Sequence, residues 1–531
     1  MGGDAFWETD TSIPLLHTTV GEALAQAAVR SPSKDAIRWM HNGRCNALTY
    51  NELHQRATAR AFEMLSIASP GDRVAIWAPN SVEWVVLEYA SALAGMIVIP
   101  LNPAAVDGEL EYALESSGAA LLYTVQDSHG KPLYVRSHAV IDRMQQNCQV
   151  VDLDVLVTAP ACDLPTVRPE DPLLYQYTSG TTGSPKGAIL SHYAAFNAAR
   201  MYGILLDSGV DHQVSGAPLP YHHVAGSVSR ILGSLAVDGT HVVIPNADLH
   251  ELADTILACG VTHGGLVAKL AVDLLDDHEM LRRFDGHQMR TLGMGGAGIA
   301  PELIKRVEDA LDVRVINGYG QSESPHITLT LWEDSELDRN TTIGRPVPQR
   351  DVSIMRLDGS TANRGELGEI CTRGPLLMAG YLDSPEQTSA TLINGWLHTG
   401  DLGSMDDRGY ISYSGRAGDM IIRGGENIYP AEVESRLTEH AEILEVVVVG
   451  VPDPRWGEQV LAYVRLAPTS TLDEEGMRTL ARTVLAPFKV PVFWEVVSDF
   501  PRGSSGKVLR RQLKTSAAEA SLLLTNPVIA P

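Results

Sequence analysis

The feature that most limits what this chain can become is a repeated pairing of short β-rich runs with amphipathic helical stretches. "DRVAIWAP" (72–79) is followed by "SVEWVVLEYASALAG", "HVVIP" (241–245) precedes "LHELADTILACG", and "VRVINGYG" (313–320) follows "PELIKRVEDAL". Strands joined through helices return parallel to their predecessors, so this rhythm predicts α/β layers on largely parallel sheet. Between 343 and 415 the texture changes. "DVSIMRL", "GELGEICTRG" and "WLHTGDLGSMDDRGYISYSGR" are short strand-like runs separated by Gly, Asp and Asn turns, which predicts a small antiparallel or barrel-like unit. From about 416 the chain carries a helix of its own, "YPAEVESRLTEH", and two strands, "EILEVVVVGV" and "EQVLAYVRL". The expected fold is α/β: a large N-terminal domain over 1–415, made of layered α/β subdomains plus the small β-barrel-like unit. A small mobile α+β domain over 416–531 follows, with a hinge near 416–419. The tail after about 515 is expected to fray.

A chain of 531 residues, 44% hydrophobic and 20% charged, has ample core for two or more domains. Its formal charge of −24 argues against broad nucleic-acid or anionic-membrane binding, so an anionic ligand must be met by a few placed cations and backbone N–H groups. Cys45, Cys148, Cys162, Cys259 and Cys371 are scattered and odd in number, without CxxC, and read as reduced thiols with neither disulfide nor zinc site. The opening "MGGDAFWETDTS" lacks the basic and apolar regions of a signal peptide. The longest apolar stretch, "WVVLEYASALAGMIVIPL", carries Glu88 and Pro100 and reads as a buried helix then a strand, so no membrane insertion is expected. The expected compartment is the cytoplasm.

The most unusual local stretch is "YTSGTTGSPKG" (177–187). It follows the apolar "PLLYQ" and precedes "AILSHYAAFNAARMYG", which looks helical. Glycines let backbone N–H groups converge on an anion, hydroxyls add donors, and Lys186 adds charge. A Walker loop would place Gly before Lys and a hydroxyl after it. Here Pro185 and Gly187 flank Lys186, so this is a phosphate-loop candidate of another kind. "GMGGAG" (293–298) satisfies GxGxxG, but a dinucleotide fingerprint needs an acidic residue ending the next strand. Asp312 begins that strand instead, and the Rossmann reading is set aside. "GYGQSE" (318–323), "GWLHTGDLG" (395–403) and "PRGSSGKVLRR" (501–511) each read singly as a turn or solvated charge. Together they supply an aromatic face, two carboxylates and a mobile lysine, the set that binding and cleaving ATP requires.

In order and wording these stretches resemble the adenylate-forming superfamily, in its acyl-CoA synthetase branch, from "LTYNELHQRA" (48–57) to "GKVLRRQL" (506–513). The resemblance implies roles residue by residue. Thr178, Ser179, Gly180, Thr181, Thr182 and Lys186 would handle the pyrophosphate part of ATP. Tyr319 would stack on adenine beside Gly296, Ala297 and Asn317. Glu323 would hold Mg²⁺, and Ser322, where threonine is usual, would serve the α-phosphate. Asp401 would bind the ribose hydroxyls with help from Arg416. His223, with His222 as fallback, would gate the acid, and Lys507 would reach its carboxylate and the α-phosphate. Gly424, Gly425 and Glu426 in "RGGENIYPAEVE" would line a pantetheine tunnel for coenzyme A after the small domain rotates. The usual Asp or Lys of the hinge is Gly418 here, with Asp419 next, and glycine permits the rotation.

What is implied is a ligase that joins a carboxylic acid to AMP, releases pyrophosphate and passes the acyl group to coenzyme A. The positions around Val224–Ser227, His263–Val267, Gly293–Ala297 and Ser324–Thr328 are mostly small and apolar, with no acidic residue to greet a substrate amine. A hydrophobic aryl or medium-chain acid is expected, in a pocket opened by Gly226, Gly264, Gly265 and Gly295. His326 could meet a ring hydroxyl, although a core histidine is the plainer reading. The alternatives are an amide synthetase that passes the acyl group to an amine, and a silent nucleotide-binding relative. Oligomeric state has no signature in these motifs.

Overall fold

The structure, a computed structural model, describes residues 3–144, 147–178, 185–206, 209–245, 248–295, 299–424, 426–453, 455–503 and 507–525, with side chains described as far as 517. Helix starts follow local chemistry. Thr19 and Thr49 each cap a helix, Val20–Arg30 and Tyr50–Ile67, through a reciprocal box with Glu22 and Glu52. Such a cap contributes about 1 kcal/mol.

Two largely parallel sheets carry the first two-thirds of the chain. In one, Arg73–Trp77 lies between Ile97–Leu101 and Leu121–Thr124. Pro172–Thr178 extends the sheet in parallel, and Lys186–Ser191 and Gly380–Tyr381 close that side antiparallel. In the other, Arg314–Gln321, Thr291–Gly295, His263–Gly265, Val214–Gly216, Thr240–Val243 and Asp35–His41 run parallel, with antiparallel strands at both ends. The α/β rhythm in the sequence is this pair of sheets. One segment differs from expectation: Ala188–Ser191 belongs to a strand, and the helix begins only at His192. Its backbone groups are taken by Pro172–Thr178, which decides a short apolar run that periodicity leaves open.

The segment expected to be antiparallel forms an antiparallel sheet of Asp351–Met355, Gly368–Arg373, Leu392–Ile393, Trp396–Met405 and Ile411–Arg416, joined by Phe6–Trp7 from the other end of the chain. Ala5, Val352, Ile354, Ile370, Met405 and Ile411 fill its core. A fourth sheet, built from Ile421–Arg423, Glu426–Ile428, Ile443–Asp453, Gly457–Leu466 and Phe493–Val496, buries Val433, Leu437, Met477 and Ala481 of its two helices. The last helix, Arg510–Thr525, continues ten residues beyond the expected fraying point, because Leu513 and Ala517 pack into a core with Val447, Val449 and Phe500. Among the described residues no helix is long and apolar enough to cross a membrane.

The thiol reading needs correction. Cys45 and Cys259 form a disulfide with Cα atoms 5.5 Å apart. They are 214 residues apart in sequence; the parallel pairing of Asp35–His41 with Thr240–Val243 brings the hairpin carrying Cys45 beneath the helix ending at Cys259. Cys148, Cys162 and Cys371 are free.

Candidate active site

The two parallel sheets, the antiparallel sheet and the fourth sheet present their motifs to one cleft. Ser322 and Glu323 form the tip of the hairpin between Arg314–Gln321 and Ser324–Leu329, where Gln321 pairs with Ser324. Both side chains are buried. Glu323 Oε1 accepts a hydrogen bond from Tyr381 Oη at 2.7 Å, while Oε2 takes none from the described residues. Lys186 Nζ lies 5.2 Å from the centroid of the same tyrosine ring. Tyr381, unassigned from the sequence, therefore bridges the lysine of the Gly-rich segment to Glu323. Thr178 and Lys186 are paired residues of an antiparallel hairpin, so the intervening loop is held at its base. Ser179, Gly180, Thr181 and Thr182 lie outside the described residues, as do Gly296, Ala297 and Gly425.

Strict alternation along Trp396–Met405 puts Leu397, Thr399, Asp401, Gly403 and Met405 on the buried face. Asp401 is 3% exposed. Its Oδ2 accepts from Tyr319 Oη at 2.8 Å, and its Oδ1 faces Arg416 Nε at 3.1 Å and Tyr413 Oη at 3.5 Å. Burial pushes this carboxyl above its usual range, opposed chiefly by Arg416. The turn before it is braced from behind. Glu369 accepts from Gly400 N at 2.8 Å and from His398 Nδ1 at 2.7 Å. Cys371 Sγ lies 3.5 Å from that same nitrogen, and burial pushes its thiol up. With the imidazole nitrogen already spent, Glu369, Cys371 and His398 act as a strut. Asn317 is also partly committed, donating from Nδ2 to Thr342 O at 3.0 Å.

Lys507 enters from the fourth sheet's side, on a turn pinned by the Arg502–Val508 bridge and by Gly503 N donating to Lys507 O at 2.8 Å. The residue as a whole is exposed, while its charged end is largely desolvated. Desolvation lowers its pKa, Arg416 lowers it further, and Asp401 and Glu323 oppose both. His223 feels the same lysine: burial first, then Lys507 and His222, push its imidazole down to about 3, so it is neutral at physiological pH. Lys507, His223, Asp401, Arg416, Tyr319, Ser322, Glu323 and Lys186 thus belong to one neighbourhood. Gly424 and Glu426 do not join it. They sit on the hairpin of Ile421–Arg423 and Glu426–Ile428, where Gly424 donates to Trp456 O at 2.7 Å.

The glycines expected to open an acyl pocket do not leave space. A Cβ on Gly226 would meet Pro220 O at 2.4 Å, one on Gly264 Met289 Sδ at 2.7 Å, one on Gly295 Gly318 O at 2.5 Å, and one on Gly265 Arg230 Nη2 at 2.6 Å. They permit close packing, and the last admits a buried guanidinium. His326 is likewise engaged: Ser229 Oγ is 2.6 Å from its Nε2, and it stacks on Tyr202 at 4.1 Å.

A hairpin carrying Lys186, a buried carboxylate hydrogen-bonded to a tyrosine and a lysine brought in from the far end of the chain make up this site, and sequence comparison gives its class, a nucleotide-dependent acyl-activating enzyme. The chain belongs to the AMP-binding enzyme family, whose model matches residues 24–382, with the AMP-binding enzyme C-terminal domain matching 432–507; its place is in the acyl-CoA synthetase branch. It is 32% identical to a long-chain-fatty-acid–CoA ligase of Bacillus subtilis over 96% of each chain. It is 30% identical to the mitochondrial medium-chain acyl-CoA ligase ACSF2 of Bos taurus, over 97% of this chain and 90% of that one. The crystal structure of ATP-bound MatB from Rhodopseudomonas palustris superposes with a TM-score of 0.85 at 26% identity, covering 95% of this chain and all of that one.

Proposed function

We propose that this chain is an AMP-forming acid–CoA ligase that activates an acid with an aryl or medium-chain body. The observation that carries the reading is the convergence of Lys507 on His223, Asp401 and Glu323 from the far end of the chain. A carboxylate attacking a phosphate brings two anions together, and the barrier falls when fixed cations and donors face the developing charge. Lys507 faces the acid's carboxylate and the α-phosphate, Lys186 and Thr178 the outer phosphates, and Ser322 the α-phosphate. Asp401 holds the ribose hydroxyls and Tyr319 covers the adenine. Neutral His223 closes the acid's end of the site without adding charge.

Glu323 suits magnesium: it is a buried carboxylate with one oxygen uncommitted, and this hard cation is commonly held by one or two carboxylates plus substrate phosphates. When bound, the ion offsets phosphate charge. Coenzyme A is the acceptor that Gly424, Gly425 and Glu426 would meet after the small domain turns. We set the domain boundary between 415 and 416 and the pivot in the 3₁₀ turn Ala417–Asp419. A side chain at Gly418 would meet nothing within 4 Å there, which supports a free swivel. The test is pyrophosphate release from ATP with a panel of aryl and aliphatic acids, with and without coenzyme A. Release with some acid, and acyl-CoA formation only with the thiol, is expected; no release with any acid refutes the proposal.

A further inference from the structure

Arg230 is seven residues after His223, on the π-helical segment Ala225–Leu232, and is 2% exposed. Its Nη1 donates to Ser215 Oγ at 2.9 Å and His263 O at 3.3 Å, and its Nη2 to Gly264 O at 2.9 Å. Nε–H has no partner, and one bond to Nη2 leaves its second proton unspent. Those two nitrogens form one edge of the guanidinium fork, the edge a carboxylate takes bidentately. Among the described residues Arg230 makes no ion pair with Asp or Glu.

The recess is shaped for this group. A Cβ at either Gly265 or Gly293 would lie 2.6 Å from Nη2, so both strands give up a side chain to admit it. Tyr202 walls one side, its ring centroid 5.6 Å from Cζ, and carries His326 stacked on it. Neither neighbouring histidine supplies or removes charge: burial first, with Arg230 among the further causes, holds His241 and His326 at about 3. A second buried guanidinium, Arg350, also presses on His326; it donates to Ser324 Oγ at 2.7 Å and Pro325 O at 3.3 Å and likewise leaves Nε unpartnered. In a chain of net charge −24, two buried cations without a carboxylate mark a place kept for an anion. An uncompensated buried charge costs several kcal/mol, and carbonyl oxygens offset only part of that.

Resting on the ligase reading above, we infer that the acid carries a second carboxylate, which takes the open edge of the Arg230 fork. The first carboxylate meets Lys507 beside His223. The second lies at the fork of Arg230, further along the π-helical segment that follows His223. The acid is then dicarboxylic, with the aryl or aliphatic body between the two ends. A lone hydrocarbon end would instead leave the fork unpaired and buried.

The test compares each of a series of α,ω-dicarboxylic acids with its own methyl half-ester and with the monocarboxylic acid of equal chain length, by kcat/KM for acyl-CoA formation. Expected is a preference of about tenfold to a hundredfold for one or more diacids, a charge-assisted hydrogen-bond pair's worth, expressed mainly in KM. Arg230→Met should remove or reverse that preference, and Arg230→Lys should keep its sign at reduced size. Should Arg230→Met melt early, the wild-type ratio of diacid to half-ester still decides. Turnover of monoacids and half-esters at least as fast as every diacid overturns this inference alone. A preference that Arg230→Met leaves unchanged overturns it as well. Pyrophosphate release with none of these acids overturns this inference; release with no acid of the wider aryl and aliphatic panel overturns the ligase reading as well.

Discussion

Replacing Lys507 by alanine separates the two half-reactions. The side chain is a cation whose pKa burial and Arg416 lower and Asp401 and Glu323 raise. At an effective dielectric of about 20, two unit charges ~4 Å apart interact by about 4 kcal/mol. Lys507 is exposed as a residue, so a somewhat smaller value, about 3 kcal/mol, applies, close to what a single transition-state donor contributes elsewhere. Lys507→Ala should therefore slow adenylation about a hundredfold to a thousandfold, read as single-turnover pyrophosphate release. Thioester formation from synthetic acyl-AMP and coenzyme A should fall less than about threefold, because in our proposal the small domain has by then carried this residue away. Lys514→Ala, which removes an ion pair with Glu458 on that same domain, is the control and should change neither rate much. Equal losses in both half-reactions for Lys507→Ala would refute the division of labour.

Glu323→Gln should raise the Mg²⁺ concentration for half-maximal pyrophosphate release at least about tenfold, with Tyr381→Phe moving it much less; equal small shifts would detach Glu323 from the metal. Gly424→Val should damage thioester formation while sparing adenylation, since Gly424 holds φ +61° and a Cβ would lie 2.7 Å from the Trp456 ring; intact thioester yield would count against the two-pose scheme. Thiol titration of the denatured, unreduced protein should find three cysteines, and five after reduction, if Cys45–Cys259 persists in solution. Glu88 is wholly buried with Oε2 unpartnered, and burial pushes its carboxyl up to about 8. The folded state then holds a proton that the unfolded state has lost, so stability falls as pH rises from about 4.5 toward 8, by at most ~1.4 kcal/mol per pH unit. Glu88→Gln should flatten that slope in chemical denaturation; an unchanged slope would show that Glu88 does not cause it.

What the sequence disclosed followed the range of the interaction involved. Helix–strand alternation is local, so the parallel sheets were readable from runs such as "DRVAIWAP" and its helix. "AILS" misled because a short apolar run next to a helix has no local mark of its strand partner, Pro172–Thr178. Phe6–Trp7 is too short for any period, and Cys45 and Cys259 meet only through a sheet closed across 200 residues. Asp401, Glu323 and Lys507 were legible as a set because each stands in a long motif, though none of those motifs alone implied a shared cleft. Arg230 left no signal: what distinguishes it is a missing partner. The glycines at 226, 264, 265 and 295 signalled smallness correctly, but not what occupies the space.

The Thr178–Lys186 register carries a consequence for tolerance to change. Side chains alternate along a strand, so Lys186 faces the Tyr381 ring only while the count along its strand stays in phase. Chain-closure entropy depends only weakly on the number of residues between two paired positions, about 0.6 kcal/mol for each doubling. A single deletion within 186–191 would instead turn the ammonium to the opposite face of the sheet. The fold thus fixes the parity of Lys186 along its strand, whatever the demands that ATP places on the residues before it.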